Sequence, residues 1–194
     1  MNDNFKTNII EQAFARHFEV FQKSLGSLVS DANRVAEMLG DVARNNRHLL
    51  ICGNGGSAAD AQHFAAEWVC KYKKDRKPLN AIALTVNTSA LTAIGNDYGF
   101  ENIFSRQIEA LGKVDDLLIV ITTSGTSPNI LEAIKKAKLM GLRVVALTGE
   151  GGKRLSQIVD IAIIVPTSET ARIQEVHELI YHAWCEYIDT QVNF

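Results

Sequence analysis

The sequence has little of what small disulfide-bonded proteins and membrane proteins depend on. It contains three cysteines, Cys52, Cys70 and Cys185, and no pair of them is spaced as C-x-x-C. An odd number without that spacing argues against a disulfide framework and a thiolate zinc site, and it favours a reducing compartment. Runs such as 117–121 are far shorter than the roughly 18 apolar residues of a membrane-spanning helix, and residues 1–10 lack the apolar core of a signal peptide. We therefore expect a cytoplasmic protein with no membrane partner.

An excess of charge of one sign is also absent. The 20 Lys and Arg residues nearly balance the 22 Asp and Glu residues, which leaves a formal net charge of -2. Proteins that neutralise a phosphate backbone usually carry a basic excess, so we expect no nucleic-acid partner. With 46% hydrophobic residues and only three prolines, the composition is typical of a packed globular protein.

Short, nearly continuous apolar segments alternate with longer segments of helical periodicity. Such short segments are typical of parallel strands that are buried on both faces. The predicted strands cover residues 48–52, 81–84, 117–122, 143–147 and 161–165. The predicted helices between them cover about 57–73, 88–110 with a break near 95–99, and 128–140. This alternation predicts an α/β fold with a doubly wound five-stranded parallel sheet flanked by helices.

Helices are also predicted before and after the sheet. They cover about 5–24 and 28–45 at the N-terminal side, and about 168–190 at the C-terminal side. No linker or repeat divides the chain, so we predict a single domain over 1–194. Its N-terminal helices occupy about 1–46, and its α/β core and C-terminal helix occupy about 47–194. The first helix has an apolar stripe that includes Phe14 and Phe18, and either the core of its own subunit or a partner subunit must bury it.

A glycine-rich segment, Gly53-Asn54-Gly55-Gly56-Ser57, follows the first predicted strand. At the carboxyl end of a parallel strand, glycines let backbone N–H groups approach an anion, and the next helix adds its positive dipole end. The spacing fits neither the dinucleotide fingerprint nor the P-loop. Three glycines also suit a plain tight turn, but Asn54 and Ser57 add polar groups that such a turn does not need.

A second polar segment, Thr122-Thr123-Ser124-Gly125-Thr126-Ser127-Pro128, follows the third predicted strand. Ser127 is suited to cap the following helix, and Pro128 to begin it. Hydroxyl and amide donors at a helix N-terminus, without Lys or Arg, suit a small phosphate monoester. The alternative is an ordinary Ser/Thr-rich turn.

Two segments carry candidate proton-transfer or metal-binding side chains. His63 and Glu67 are four residues apart on the second predicted helix, so one face of that helix presents both. The last helix carries Gln174, Glu178 and His182 among other polar residues, and spacing alone does not choose among them. A solvated polar face is the alternative for both segments.

Four separated motifs together resemble one known family. They are Gly53–Ser57 with His63 and Glu67, Gly95-Asn96-Asp97-Tyr98-Gly99-Phe100, Thr123-Ser124-Gly125 with Ser127, and Arg172-Ile173-Gln174-Glu175 with His182. In this order, over almost the whole chain, they closely resemble the phosphoheptose isomerases of the sugar isomerase (SIS) domain superfamily.

The resemblance implies a complete enzyme function. Members of this family convert sedoheptulose 7-phosphate to D-glycero-D-manno-heptose 7-phosphate through an enediol or enediolate. This is the first step toward ADP- or GDP-heptose for the lipopolysaccharide core or the capsule. The family is homotetrameric with active sites between subunits, and such a tetramer would bury the N-terminal helices.

The resemblance also implies roles for individual residues. Glu67 and His182 match the acid/base pair. One zinc ion per subunit would be held by His63, Glu67, Gln174 and His182. The substrate-binding positions match Asn54, Gly55, Gly56, Ser57, Glu67, Asn96, Asp97, Thr122, Thr123, Ser124, Ser127 and Gln174.

Three residues depart from the family pattern. Lys71 stands where arginine is common, Thr122 replaces a serine, and Ala171 stands where some members have aspartate. These departures concern the geometry of substrate binding and leave the reaction class unchanged.

A non-catalytic paralogue is the main alternative. This tetrameric scaffold binds the replication initiator protein DnaA, and it resembles the chain at 62–66 and 171–174. It does not keep a carboxylate at Glu67 or an imidazole at His182, so the presence of both favours the enzyme. Arabinose 5-phosphate isomerases and sugar-sensing regulators would bring further domains.

Overall fold

The computed structural model describes residues 3–191 of the chain, and the side chains of residues 8–191. Its strands are β1 (Leu49–Gly53), β2 (Ala81–Ala83), β3 (Leu117–Thr122), β4 (Arg143–Gly149) and β5 (Ile161–Val165). They form one parallel sheet in the order β2-β1-β3-β4-β5. The predicted fold class is therefore confirmed.

Alternation along the strands divides the core into two apolar clusters. Leu49 and Ile51 of β1 face one cluster, whereas Leu50 and Cys52 face the other. Successive side chains of a strand point to opposite faces, and here helices cover both faces. This is why the strands are apolar at nearly every position instead of every second one.

The helices are α1 (Asp3–Arg44), α2 (Gly56–Val69), α3 (Thr88–Tyr98), α4 (Ser105–Leu111), α5 (Pro128–Leu139) and α6 (Thr170–Gln191). Short 3-10 helices occupy Phe100–Asn102 and Glu150–Gln157. The predicted break within 88–110 lies at Gly99, which has a φ of 88°. That left-handed conformation suits glycine and ends α3.

The prediction of two N-terminal helices was wrong, because α1 is one continuous helix of 42 residues. Gly26 lies within the gap between the two predicted helices. One glycine in a helix costs only about 1 kcal/mol, which does not end a helix that packs along its length. The hydroxyls of Ser24 and Ser27 donate to the carbonyls of Val20 (2.8 Å) and Lys23 (3.1 Å), so both serines are satisfied within the helix.

The strand order reverses direction between β1 and β3. The chain leaves β1 toward β2 on one side, and it leaves β3 toward β4 on the other. The segments that follow β1 and β3 therefore diverge and leave a crevice at the carboxyl ends of the strands. Both polar segments singled out in the sequence, residues 53–57 and 122–128, lie at this crevice.

Candidate active site

Two asparagines join the walls of the crevice. The Nδ2 atom of Asn54, after β1, donates to Oδ1 of Asn129, on α5, at 2.9 Å. The reverse hydrogen bond measures 2.8 Å, and the side chain of Asn129 is almost completely buried. This reciprocal pair fixes the glycine-rich segment relative to the hydroxyl-rich segment.

The glycine-rich segment turns directly into α2. Gly55 precedes the helix with a φ of 56°, a left-handed conformation that favours glycine. Gly56 and Ser57 form the first turn of α2, and Ser57 is buried. The sequence thus places a helix N-terminus, with its positive dipole end, at the floor of the crevice.

Internal hydrogen bonds shape the hydroxyl-rich segment. The Oγ1 atom of Thr122 accepts from the backbone N–H of Gly125 at 3.1 Å, and Oγ of Ser124 accepts from the hydroxyl of Thr126 at 3.1 Å. The carbonyl of Thr123 accepts from Gly149 N at 3.2 Å. Ser127 lies at the N-cap of α5 and Pro128 begins the helix, as predicted. The hydroxyl of Ser127 makes no capping hydrogen bond, so it can serve a ligand instead.

Helices α2 and α6 bring three candidate metal-binding side chains together. The Nε2 atom of His63 lies 3.3 Å from Oε1 of Glu67 and 3.4 Å from Nε2 of His182. One ligand atom from each of the three residues lies within 4.8 Å of the others. We call His63, Glu67 and His182 the trio. Because the His63 side chain is 42% exposed, the trio is open to solvent and could hold a metal ion.

Aromatic side chains orient the two imidazoles of the trio. The hydroxyl of Tyr181 lies 3.1 Å from Nδ1 of His63. Burial raises the pKa of Tyr181, so its phenol stays neutral. The ring of Tyr72 stacks on His182, with 5.5 Å between centroids and 23° between planes. Such neighbours fix the orientation and tautomer of histidines that bind metals.

Gln174 lies at the other end of the site from His182. Its side-chain amide packs against Gly56, where its Cδ atom is 3.1 Å from the position of an added Cβ. Gln174 and His182 are eight positions apart on α6, which corresponds to about 12 Å along the helix axis. Gln174 is therefore placed beside the glycine-rich segment, near the N-terminus of α2.

Asn96 and Asp97 lie on the surface of α3. The side-chain amide of Asn96 donates to Oδ1 of Asp97 at 2.7 Å. Among the described residues, no hydrogen bond joins either side chain to the trio or to Gln174. Within one chain, these two predicted substrate-binding residues stand apart from the rest of the site.

Comparisons with known proteins agree with this geometry. Residues 14–149 match the family model for the SIS domain. The chain is 52% identical to phosphoheptose isomerase 1 of Campylobacter jejuni over 94% of its own length and 97% of that protein. Identity to a phosphoheptose isomerase of Helicobacter pylori is 48%, with coverage of 94% and 95%.

Solved structures give the same result. The phosphoheptose isomerase of Neisseria gonorrhoeae superposes with a TM-score of 0.89 at 44% identity, covering 95% of this chain and 98% of that one. The enzyme from Francisella tularensis gives a TM-score of 0.92 at 39% identity, with the same coverage. The chain belongs to the phosphoheptose isomerase family.

Membership of the phosphoheptose isomerase family confirms three predictions. The resemblance, the SIS fold and the enzyme class were correct, and the chain is an isomerase. The scaffold alternative loses its support. The roles of individual residues stay predictions. No helix among the described residues is long and apolar enough to cross a membrane.

The sequence analysis missed several residues of this phosphoheptose isomerase site. Asn129, Tyr72 and Tyr181 act through tertiary contacts, which no local pattern signals. Asp60 lies three residues before His63, and its Oδ2 atom is buried without a hydrogen-bond partner among the described residues. Burial, with a smaller contribution from Glu178, raises the pKa of Asp60 to about 6. For Asp60, the available sequence signal was its position in the first turns of α2.

Proposed function

We propose that the chain converts sedoheptulose 7-phosphate to D-glycero-D-manno-heptose 7-phosphate. The observation that carries this proposal is the meeting of Glu67 and His182 at His63, beside a crevice lined with hydroxyl and amide donors. A carboxylate and an imidazole on one wall, with an anion-binding loop on another, suit proton transfer on a phosphorylated sugar. The names of the relatives give the seven-carbon substrate class.

The phosphate would bind at the N-terminus of α5. Ser124 and Ser127 would donate from their hydroxyls, with Thr122 and Thr123 shaping the loop and Ser57 helping from α2. Neutral donors and the positive end of a helix dipole together stabilise a phosphate without Lys or Arg. Asn54, Gly55, Gly56 and Gln174 would contact the sugar hydroxyls. The hydrogen bond from Asn54 to Asn129 on α5 and the packing of Gln174 against Gly56 support this.

The reaction moves a carbonyl from C2 of the ketose to C1 of the aldose. A base removes a proton from C1 to give an enediolate, and a proton is delivered to C2. The C1 hydroxyl loses its proton and the C2 oxygen gains one, so the step balances without a redox cofactor. Glu67 would take the proton, and His182 would be the other member of the acid/base pair. A positioned acid or base typically contributes about 100-fold to 10,000-fold to the rate.

Two separations within the trio support the proposal of a zinc site. Tetrahedral zinc with ligand distances of about 2.0–2.1 Å places its ligand atoms about 3.3–3.4 Å apart. The separations of His63 Nε2 from Glu67 Oε1 and His182 Nε2 are 3.3 and 3.4 Å. When bound, zinc would supply a Lewis acid that polarises the carbonyl oxygen. With the trio as three protein ligands, one position is left for substrate. Gln174, the fourth ligand that the resemblance implies, packs against Gly56 instead and would have to turn toward the trio to bind the ion.

The ligand and base roles of Glu67 compete, because a carboxylate bound to zinc is a weaker base. Its Oε1 atom faces His63, and its second oxygen is available for the proton. Glu67 is only partly buried, with 23% of its side chain exposed, so the carboxylate can shift between the two partners.

We further propose a homotetramer with active sites between subunits. Four apolar side chains of α1, namely Ile9, Ile10, Phe14 and Phe18, are 49% to 73% exposed. Helix α3 has no fully buried residue, although Leu91 and Ile94 pack partly against the core, so its other face is exposed. Contact between subunits at these helices would bury both surfaces and would bring Asn96 and Asp97 toward a site on another chain.

The cellular setting follows from the proposed reaction. The product would feed ADP- or GDP-heptose synthesis for lipopolysaccharide core or capsule. Cys52, Cys70 and Cys185 are free thiols, which supports the reducing cytoplasm as the location. We also propose that 1–194 forms one SIS domain.

A direct assay tests the proposed reaction. Zinc-loaded protein is incubated with sedoheptulose 7-phosphate, and the aldose product is quantified for the parent, Glu67→Gln, His182→Gln and the exposed control Glu132→Gln. The first two variants should lose at least about 100-fold in kcat, because each lacks an acid or base. The control should match the parent. Near-parental turnover of Glu67→Gln with an intact fold would refute its assignment as the base.

A further inference from the structure

A buried ion pair lies near the C-terminal ends of α2 and α6, outside the predicted site. Arg76 is in the segment between α2 and β2, and Asp189 is near the end of α6. Their Nε and Oδ1 atoms are 2.9 Å apart, with 2% and 3% of the side chains exposed. A buried pair often stabilises a fold no better than apolar residues of similar volume would. Its presence therefore calls for a reason other than stability.

Asp189 binds the segment that follows α2. Its Oδ2 atom accepts from the backbone N–H groups of Lys73 at 2.7 Å and Lys74 at 2.9 Å. Burial alone would raise the pKa of Asp189, but the hydrogen bonds from Lys74, Lys73 and Arg76 outweigh it and lower the pKa. The carboxylate of Asp189 is thus ionised, and both of its oxygens accept hydrogen bonds.

Arg76 binds the end of α2. Its Nη2 atom donates to the carbonyl of Glu67 and its Nη1 atom to the carbonyl of Trp68, each at 2.9 Å. These carbonyls lie in the last turn of α2, where helical partners are missing. The guanidinium of Arg76 therefore donates directly to the backbone of Glu67, a member of the trio.

Asp189 also shares a helix face with the trio. It follows His182 by seven residues on α6, and positions seven apart lie on the same side of a helix. Tyr72, which follows α2, packs its ring on His182 at a centroid distance of 5.5 Å. The hydrogen bonds to Lys73 and Lys74 hold the backbone just after Tyr72.

We propose that Arg76 and Asp189 are positioning residues that clamp the ends of α2 and α6. The clamp sets the register of the two helices, so that His182 on α6 meets His63 and Glu67 on α2 at metal-binding distance. It also holds Tyr72 against His182. This inference rests on the proposed metal site, because it assigns the pair a role in shaping that site.

Asp116, which directly precedes β3, offers a matched control outside α2, α6 and the segment that joins α2 to β2. Like Asp189 it is buried, and it accepts from two backbone N–H groups, those of His48 and Lys113, each at 2.8 Å. It also lies 3.2 Å from Nδ1 of His48. Asp116→Asn should therefore disturb the fold about as much as Asp189→Asn, but through contacts with His48 and Lys113 instead of contacts with α2 or α6.

The experiment compares metal affinity at a temperature where circular dichroism shows each variant folded. Zn²⁺ affinity is measured by competition with a chromogenic chelator, and the Co²⁺-substituted protein reports ligand geometry through its visible absorption. Asp189→Asn should bind Zn²⁺ at least about tenfold more weakly and change the Co²⁺ spectrum, as for other residues that orient ligands. Asp116→Asn should keep the parental values. Amide exchange at Lys73 and Lys74 should accelerate in metal-free Asp189→Asn.

Arg76→Lys keeps the charge but loses the fork that reaches Glu67 and Trp68. Like Asp189→Asn, Arg76→Lys should weaken Zn²⁺ binding. If Asp189→Asn does not fold, Arg76→Lys alone tests the clamp. If the parent binds Zn²⁺ and both clamp variants keep its affinity and Co²⁺ spectrum, the clamp is refuted while the metal site stands. If the parent binds neither ion, the proposed metal site is refuted and the clamp with it.

Discussion

The Nε2 atoms of His63 and His182 face each other at 3.4 Å, although the two residues are 119 positions apart in the sequence. Two imidazole nitrogens at that distance repel each other when both carry lone pairs, so a proton or a cation must lie between them. The carboxylate of Glu67, 3.3 Å from His63, favours a cation.

Metal binding should therefore stabilise the fold. We expect Zn²⁺ at 100 times its dissociation constant to add about 2.7 kcal/mol to the free energy of unfolding, because the ion binds only the folded trio. Thermal denaturation with Zn²⁺ and with chelator measures the difference. His182→Gln should abolish most of it, whereas His48→Gln, which changes a histidine paired with Asp116 and not with the trio, should retain it. Equal stabilisation of both variants would place the metal elsewhere.

The Asn54–Asn129 pair should couple stability to substrate binding. Asn129→Ala leaves the amide of Asn54 without its partner and opens a small cavity, so we expect a loss of about 1–3 kcal/mol in unfolding free energy. KM should rise because Asn54 is no longer held. Asn80→Ala removes a comparable but exposed bond, from Asn80 to Asn46 at 3.0 Å, and should change stability by less than about 0.5 kcal/mol. An unchanged KM for Asn129→Ala would contradict the proposed role of Asn54.

Gly56→Ala should displace Gln174 from the site. The new methyl group would overlap the Gln174 amide, whereas the same change at Gly26 meets open space. We expect Gly56→Ala to lose up to about 100-fold in kcat/KM, the scale of a misplacement near the reacting atoms. Gly26→Ala should keep full activity and gain about 0.5–1 kcal/mol of stability. Parental kinetics for Gly56→Ala would show that Gln174 has no part in the reaction.

His177 should make the fold sensitive to mild acid. It is completely buried beside the carbonyl of Thr148, and burial lowers its pKa to about 4. Between pH 6.5 and 4 the unfolded chain takes up a proton at this residue and the folded chain does not, so stability falls as the pH falls. The full effect is about 3 kcal/mol. His177→Met should flatten this part of the curve in denaturant titrations, and parallel curves for variant and parent would contradict the assignment.

Much of the fold could be predicted because local pattern and burial coincide. β1 and β3 are continuously apolar because both of their faces are covered, and Pro128 begins α5 because its backbone lacks an N–H. The packing of α1 outweighs the local weakness at Gly26, so one helix forms where two were predicted.

Only the parts of the site that lie within one short segment of the chain could be predicted from the sequence. The two polar segments follow strands, so their meeting at one edge of the sheet follows from topology. On α6, spacing could not choose among Gln174, Glu178 and His182, because the packing of α6 against α2 makes that choice. Tyr72, Asn129 and the Arg76–Asp189 pair are defined by contacts between distant segments, which no window of sequence shows.

Proton transfer through an enediolate is the central claim, and one isotope experiment tests it directly. Zinc-loaded protein is incubated with sedoheptulose 7-phosphate in D₂O, and the product is examined by NMR. The predicted result is an aldose heptose phosphate with deuterium at C2, because the proton delivered there exchanges with solvent while it is held by protein side chains. An aldose without deuterium, or no aldose at all, would contradict the claim.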